Sequence, residues 1–391
     1  MDKTNFKNVL ALLVIICFVT CKKDTNTKNV NADTGLYKWS GYSLPDIGWD
    51  TKTISSLVAD TNGRIYIGGN FSSYGFYNHI LYFDSNKVES GLYLRARTGE
   101  IWNQKLAINS SNQLFCLDID TAPTHKITVV NFPYFNPVCN TQKWEYYSGN
   151  FYASCNDNLG NVYYGINFYD SVSNANYQAI KFFGNKNYQL IKNKNNGTEI
   201  FDMQTSVNGL LYALFRSTST NKNYTLAKWD GNSWTDINFI PNAEIISNIL
   251  YDGIKYLYIT GYYPNTFKPF VARYDGVIWE IIPNWQSSFP TLVQPYFTQQ
   301  NGYKITWCTD KKGNIYNLVN DPQYNTTKIY ASRVIKWDGN TWTLTDCEIT
   351  HDLYYSSTFT AICCDNKGNI YVGVDGGNTN TQCALYKYAK K

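Results

Sequence analysis

With 391 residues, 43% hydrophobic, 17% aromatic and only 16% charged, the chain has ample apolar surface for a large core. Its formal charge of +4 is spread along the sequence, and no Lys/Arg stripe interleaves with the aromatics, which excludes a nucleic-acid-binding surface. Length alone suggests two domains, but a regular repeat overrules that division.

In chain order, Lys3 and Lys7 precede a mostly apolar run from Val9 to Val19 that ends in Phe-Val-Thr-Cys21. Eleven residues are too few to span a bilayer, so the run has the dimensions of a signal-peptide core. Its ending resembles a bacterial lipoprotein signal, although Phe18 and Thr20 depart from the usual Leu and Gly or Ala. The resemblance implies cleavage after residue 20 and lipidation of Cys21. Lys22-Lys23-Asp24 and the polar stretch to Asp33 are similar to the start of Bacteroidota lipoproteins. That similarity implies a lipid-anchored protein of the outer membrane, either exposed at the cell surface or facing the periplasm, with residues 21–35 as a flexible tether.

From residue 36 onward one phrase returns: DTNGRIY at 60–66, SSNQLFC at 110–116, DNLGNVY at 157–163, SVNGLLY at 206–212, DGIKYLY at 252–258, DKKGNIY at 310–316 and DNKGNIY at 365–371. Marked at Gly63, Asn112, Gly160, Gly209, Gly253, Gly313 and Gly368, the steps are 49, 48, 49, 44, 60 and 55 residues. That is the length of a four-stranded blade, which buries its faces only when neighbours stack on it. A second phrase, AKWDGNSW at 227–234, ARYDGVIW at 272–279 and IKWDGNTW at 335–342, with KFFGNKNY at 181–188 as a weaker relative, supplies a tight hairpin. Asp-Gly there suggests a type I′ turn flanked by Trp residues that pack between blades. The expected fold is all-β: a seven-bladed β-propeller of four-stranded antiparallel blades over residues 36–391. The last unit lacks its fourth strand. LYKWSGYSLPDI at 36–47 has the pattern of a third and fourth strand, and it is expected to close the ring, since an open ring leaves unpaired edges.

Asp-x-x-Gly-Asn-Ile-Tyr-x-Gly followed by Trp-Asp-Gly-x-x-Trp is similar to extracellular propellers of Bacteroidota lipoproteins and to propeller segments ahead of some two-component sensor kinases. This resemblance implies a recognition scaffold and carries no catalytic residues. IKWDGNTW also resembles the sialidase Asp-box, but the six arginines, at 64, 95, 97, 216, 273 and 333, give no sign of the triad a sialidase needs. His79, His125 and His351 are the only histidines and lack metal-ligand spacing, while Asx-turn chemistry explains the Asp and Gly of the repeats without calcium. No cofactor or metal is expected.

Cys155, Cys308 and Cys363 align two residues before the Asp of their repeats. Equivalent positions of adjacent blades lie too far apart for a disulfide, whose Cα atoms sit about 4.4 to 6.8 Å apart, so all three are expected as small core residues. Cys116 with Cys139 is the one pairing suggested. Asp-Thr-Ala at 120–122 and Asp-Ser-Val at 170–172 resemble the Bacteroidota O-glycosylation pattern at Thr121 and Ser171.

In an up-and-down blade, the first-to-second and third-to-fourth turns share one face of the disc. Here those are short, whereas connections on the other face are long and aromatic, as in 69–79, 166–177, 261–270, 283–297 and 320–330. Tyr74, Phe76, Tyr169, Tyr262, Tyr263, Trp285, Phe289, Tyr296 and Tyr324 are therefore candidate binding residues for a glycan or an envelope protein. The expectation is a non-catalytic, monomeric binding propeller that meets the membrane only through its anchor. The alternative is a polysaccharide hydrolase or lyase, with Asp118, Asp120, Asp170 and Asp321 available for acid–base work.

Overall fold

The computed structural model describes residues 37–43, 53–70, 77–84, 87–95, 105–117, 128–131, 136–137, 145–146, 153–170, 174–183, 187–194, 198–217, 224–238, 245–263, 269–283, 285–290, 307–321, 329–352, 359–374 and 384–390. The recurring seven-residue phrase folds the same way wherever it is complete. In DNLGNVY, Asp157 Oδ1 accepts the backbone N–H groups of Leu159 and Asn161 at 2.9 and 2.8 Å, and Asp157 Oδ2 accepts Asn161 Nδ2 at 2.6 Å and Tyr163 OH at 3.1 Å. Asp310 repeats the arrangement with Lys312, Asn314 and Tyr316, and Asp365 with Lys367, Asn369 and Tyr371. The phrase is thus a self-contained turn in which the carboxylate gathers four donors from within seven residues. Gly160 takes φ 86°, and Asn112, standing where the other repeats have Gly, takes φ 59°, a region that Asn tolerates better than most residues.

Each such turn joins the first two strands of an antiparallel sheet, and among the described residues there are seven sheets. The first holds Thr53–Ala59, Ile65–Asn70, Tyr77–Asp84 and Lys87–Arg95. The second, Lys105–Ile108, Leu114–Leu117, Thr128–Asn131 and Asn136–Pro137, is thin, its ladders holding four, two and two residue pairs. The third holds Ser154–Asn156, Val162–Asp170, Ala175–Phe183 and Asn187–Lys192, with Glu145–Tyr146 added beside the second strand. The fourth holds Thr198–Thr205, Leu211–Ser217, Tyr224–Trp229 and Trp234–Ile237. The fifth holds Ile245–Tyr251, Leu257–Tyr262, Pro269–Tyr274 and Trp279–Ile282. The sixth holds Trp307–Thr309, Ile315–Asp321, Ile329–Trp337 and Trp342–Asp352. The seventh holds Phe359–Cys364, Ile370–Val374 and Ala384–Lys390, and the N-terminal Tyr37–Ser43 pairs along Ala384–Lys390 from Tyr37↔Lys390 to Ser43↔Ala384. The stretch 36–47 therefore supplies one strand in the outer position, not the third-and-fourth pair suggested by its pattern; residues 44–47 lie outside the described residues.

The first strands pack side by side in sheet order, and Phe359–Cys364 in turn lies against Thr53–Ala59. Polar side chains tie neighbours together: Leu106 N donates to Ser56 Oγ at 3.2 Å, Ser154 Oγ to the Leu106 carbonyl at 3.2 Å, and Ile249 N to Asp202 Oδ2 at 2.9 Å. Apolar side chains fill the gaps between sheets, as where Ile54, Leu57 and Ile67 meet Ala361, Cys363 and Tyr371. Glycine in the second strand makes room for the next sheet. A Cβ on Gly373 would stand 2.7 Å from Ile54 Cγ2, so Gly373→Val is expected to lower stability by about 1–3 kcal/mol through overpacking. Denaturant unfolding checks it, and partial recovery on adding Ile54→Ala would place the strain between these two sheets.

The Asp-Gly hairpins differ from expectation in turn type. Trp229 pairs with Trp234, so the central residues are Gly231 and Asn232, and within the hairpin only the glycine has positive φ, at 109°. That is a type II′ pattern rather than type I′, with Asp230 in front of the central pair. Asp230 Oδ1 accepts the N–H groups of Asn232 and Ser233 at 2.8 and 2.9 Å. Those N–H groups, Ser233 first and then Asn232, hold the Asp230 carboxyl below its ordinary value of 3.8.

Candidate functional site

Alternate strands run in opposite directions, which puts the Asp-x-x-Gly turns and the hairpins at one end of the sheets and the longer connections at the other. At the turn end, a central cavity of about 360 Å³ receives residues from every first strand, including Val58, Ile108, Cys155, Gln204, Leu250, Cys308 and Cys363. The groups with chemical potential around it are already engaged. Asp60, Asp157, Asp252, Asp310 and Asp365 are buried and accept hydrogen bonds from their own turns. Cys155, Cys308 and Cys363 are free and buried, as their alignment suggested. Burial above all, then nearby carboxylates or thiols, pushes their pKa well above 9.0, so they are protonated and poorly nucleophilic. Burial followed by the Asp157, Asp310 and Asp365 carboxylates raises Tyr163, Tyr316 and Tyr371 in the same way, while Tyr66, also desolvated, is pushed up to about 12.

Farther from the axis, the hairpin tryptophans join successive sheets as the sequence implied. Trp234 Nε1 donates to the Lys192 carbonyl at 3.1 Å, Trp279 Nε1 to Asn238 at 2.8 Å and Trp342 Nε1 to Pro283 at 2.7 Å, each acceptor closing the outer strand of the preceding sheet. The turn end is less plain than its short loops suggested. Leu159, Ile254, Val277 and Ile278 are exposed there at 76%, 54%, 82% and 64%. The available signal was an apolar residue at a turn position that is polar in DKKG and DNKG, as in DNLG or DGIK.

No family model matches the chain, and no curated protein matches it either. Solved structures do. A streptogramin B lyase aligns with TM-score 0.52 and 10% identity over 91% of this chain and 98% of that one. The β-propeller domain of the trilobed protease from Pyrococcus furiosus, described as having an open Velcro topology, aligns with TM-score 0.50 and 8% identity over 88% and 97%. A puromycin-hydrolysing peptidase from Mycobacterium tuberculosis aligns with TM-score 0.53 and 10% identity over 88% of this chain and 55% of that one. This chain is a β-propeller. At such identities the likeness carries the fold alone, and a propeller hosts both enzymes and binding modules.

The propeller places the predicted binding residues unevenly. Tyr169 and Tyr262 lie at the loop-side ends of second strands. Tyr263 is half-buried, its ring 5.2 Å from that of Phe270. Trp285 is a correction. It begins the helical turn Trp285–Ser288, is 0% exposed and sits in a core cluster with Trp307, Trp337 and Trp342, because the turn folds its indole into the gap between the fifth and sixth sheets. Phe289, half-buried, packs against that same cluster. Tyr74, Phe76, Tyr296 and Tyr324 lie outside the described residues, as do Cys21, Asp118, Asp120, Thr121, Cys139 and Ser171. Asp170 and Asp321 end the second strands of the third and sixth sheets on the loop side. Among the described residues, no helix is long and apolar enough to cross a membrane.

Proposed function

We propose that this propeller is a non-catalytic binding module, anchored through lipidated Cys21 to the outer membrane with its ring at the cell surface, and that it binds a glycan or an envelope protein through the long-connection end. The observation that carries this reading is the state of the groups at the axis. Both oxygens of Asp157, Asp310 and Asp365 are spent on their own turns, and burial keeps the neighbouring thiols protonated. Neither set can act as general base or nucleophile without dismantling the turn it builds. The ring itself we take as seven blades closed by Tyr37–Ser43; the cyclic packing of first strands and the seven-pair ladder with Ala384–Lys390 support that.

Recognition falls to Tyr74, Phe76, Tyr169, Tyr262, Tyr263, Phe289, Tyr296 and Tyr324, whose rings suit sugar faces and protein hot spots. Trp285 leaves this set because it is core. A second reading, a polysaccharide hydrolase or lyase, draws on Asp170 and Asp321 at the same end of the sheets. The test compares full-length protein with a Tyr262→Ala, Tyr263→Ala variant on a glycan array and in capture of outer-membrane proteins. Binding that falls by roughly tenfold with unchanged circular dichroism supports the assignment. Undiminished binding by the folded variant overturns it.

A further inference from the structure

The exposed large hydrophobic side chains among the described residues are not scattered. All belong to the third, fourth and fifth sheets, and all but Ile281 lie at the turn end. Leu159, Val207 and Ile254 stand in the first turns of those three sheets. Phe183 and Tyr188 flank the hairpin of the third sheet, and Val277 and Ile278 occupy that of the fifth. The turns adjoin one another: Leu159 Cδ1 stands 3.5 Å from the place a Cβ on Gly209 would take, in the turn that carries Val207, and Ile254 Cδ1 leans in the same way over Gly313 of the sixth sheet. The result is an apolar arc across three consecutive sheets. Single exposed apolar residues are ordinary, but a cluster of this kind marks a surface that meets something less polar than water.

Two observations say what covers it. The first is where the chain enters the ring. Ile370, just past the Asp365 turn, faces Tyr388, so Ala384–Lys390 runs toward the turn end, and Tyr37, opposite Lys390, begins its strand there. Residues 21–36 therefore join the ring on the face that carries the arc. A tether of that length has an end-to-end distance of roughly 20–25 Å, so acyl chains on Cys21 hold this face close to the bilayer and leave the long connections pointing away. The second observation is charge. The aspartates of the first turns are buried, whereas Lys255, Lys311, Lys312 and Lys367 are exposed beside the arc and outnumber the exposed hairpin acids Asp230 and Asp338. That balance suits acidic headgroups. We propose that the turn end is a membrane-docking face, with Leu159, Ile254, Val277 and Ile278 entering the interface of the bilayer that holds Cys21 and the turn lysines facing its acidic headgroups. The proposal rests on the lipid anchor of the reading above and adds contact through the ring to contact through the anchor.

The full-length protein, labelled with an environment-sensitive fluorophore at Val277→Cys, is mixed with vesicles of phosphatidylethanolamine and phosphatidylglycerol that contain a bilayer-embedded quencher. Ser287→Cys, exposed at the opposite end of the sheets, is the control, and the unsubstituted protein gives the background. Emission from position 277 is expected to shift to the blue and to be quenched at least about twofold more than that from position 287. Leu159→Asn with Ile254→Asn, both exposed positions, is expected to lower that quenching by about half or more. The mass of the Cys21 peptide in the same sample reports the anchor separately. Quenching at 277 without acyl chains on Cys21 would sustain the docking face and remove the anchor. Position 277 no more quenched than 287, with or without acyl chains, or quenching unaltered by the two Asn substitutions, would overturn the docking face. A label at 277 already blue-shifted without vesicles, in a protein that elutes as a dimer, would give the arc to a second copy and overturn it as well.

Discussion

Asp157→Ala is expected to lower folding free energy by about 3 kcal/mol, near the upper range for a single substitution outside a large core cavity. The side chain is 2% exposed, and its loss strands two backbone N–H groups, the Asn161 amide and the Tyr163 hydroxyl in one step. Asp157→Asn keeps the Oδ1 acceptor but turns an amide toward two existing donors, so about half of that loss is expected. Ser206→Ala is the control. Ser206 Oγ holds a single N–H, that of Leu210, at 3.1 Å, and about 1 kcal/mol is expected. Urea unfolding followed by tryptophan fluorescence gives all three values. Equal losses at Asp157 and Ser206 would mean that the carboxylate does not organise its turn.

Removing residues 37–43 is expected to have the larger effect still. Seven ladder pairs disappear, from Tyr37↔Lys390 to Ser43↔Ala384, and Ala384–Lys390 becomes an open edge available for pairing with other chains. Aromatic packing goes with it, since Tyr42 lies 4.6 Å from Phe83 of the first sheet. The shortened protein should aggregate or unfold at markedly lower temperature in a thermal melt with size-exclusion analysis. A monomer with unchanged melting temperature would show that this strand is not part of the ring.

The architecture was legible because its signal is local. Asp, Gly, Asn and Tyr of the repeat interact within seven residues of one another, so their spacing alone describes the turn, and strand ranges follow from it. In the fourth sheet, SVNGLLY at 206–212 and AKWDGNSW at 227–234 mark the turns between strands observed at Thr198–Thr205 and Leu211–Ser217, and at Tyr224–Trp229 and Trp234–Ile237. Features set by distant parts of the chain were not legible. Trp285 stood in a long aromatic connection and resembled a surface residue; only the gap between two sheets makes it core. The apolar arc of Leu159, Val207 and Ile254 depends on three turns, each from a different repeat, standing side by side. The hairpins were recognised, but their type follows from which residues pair across them, Trp229 with Trp234, and composition does not state that register.

The most direct test of the account is turnover. The full-length protein is incubated with a panel of neutral and acidic glycans, and every glycan that binds is recovered and weighed by mass spectrometry. The account predicts saturable binding with the bound glycan recovered intact after prolonged incubation. Shortened or unsaturated products, formed by the wild type and lost in Asp170→Asn or Asp321→Asn, would contradict it and make the propeller an enzyme.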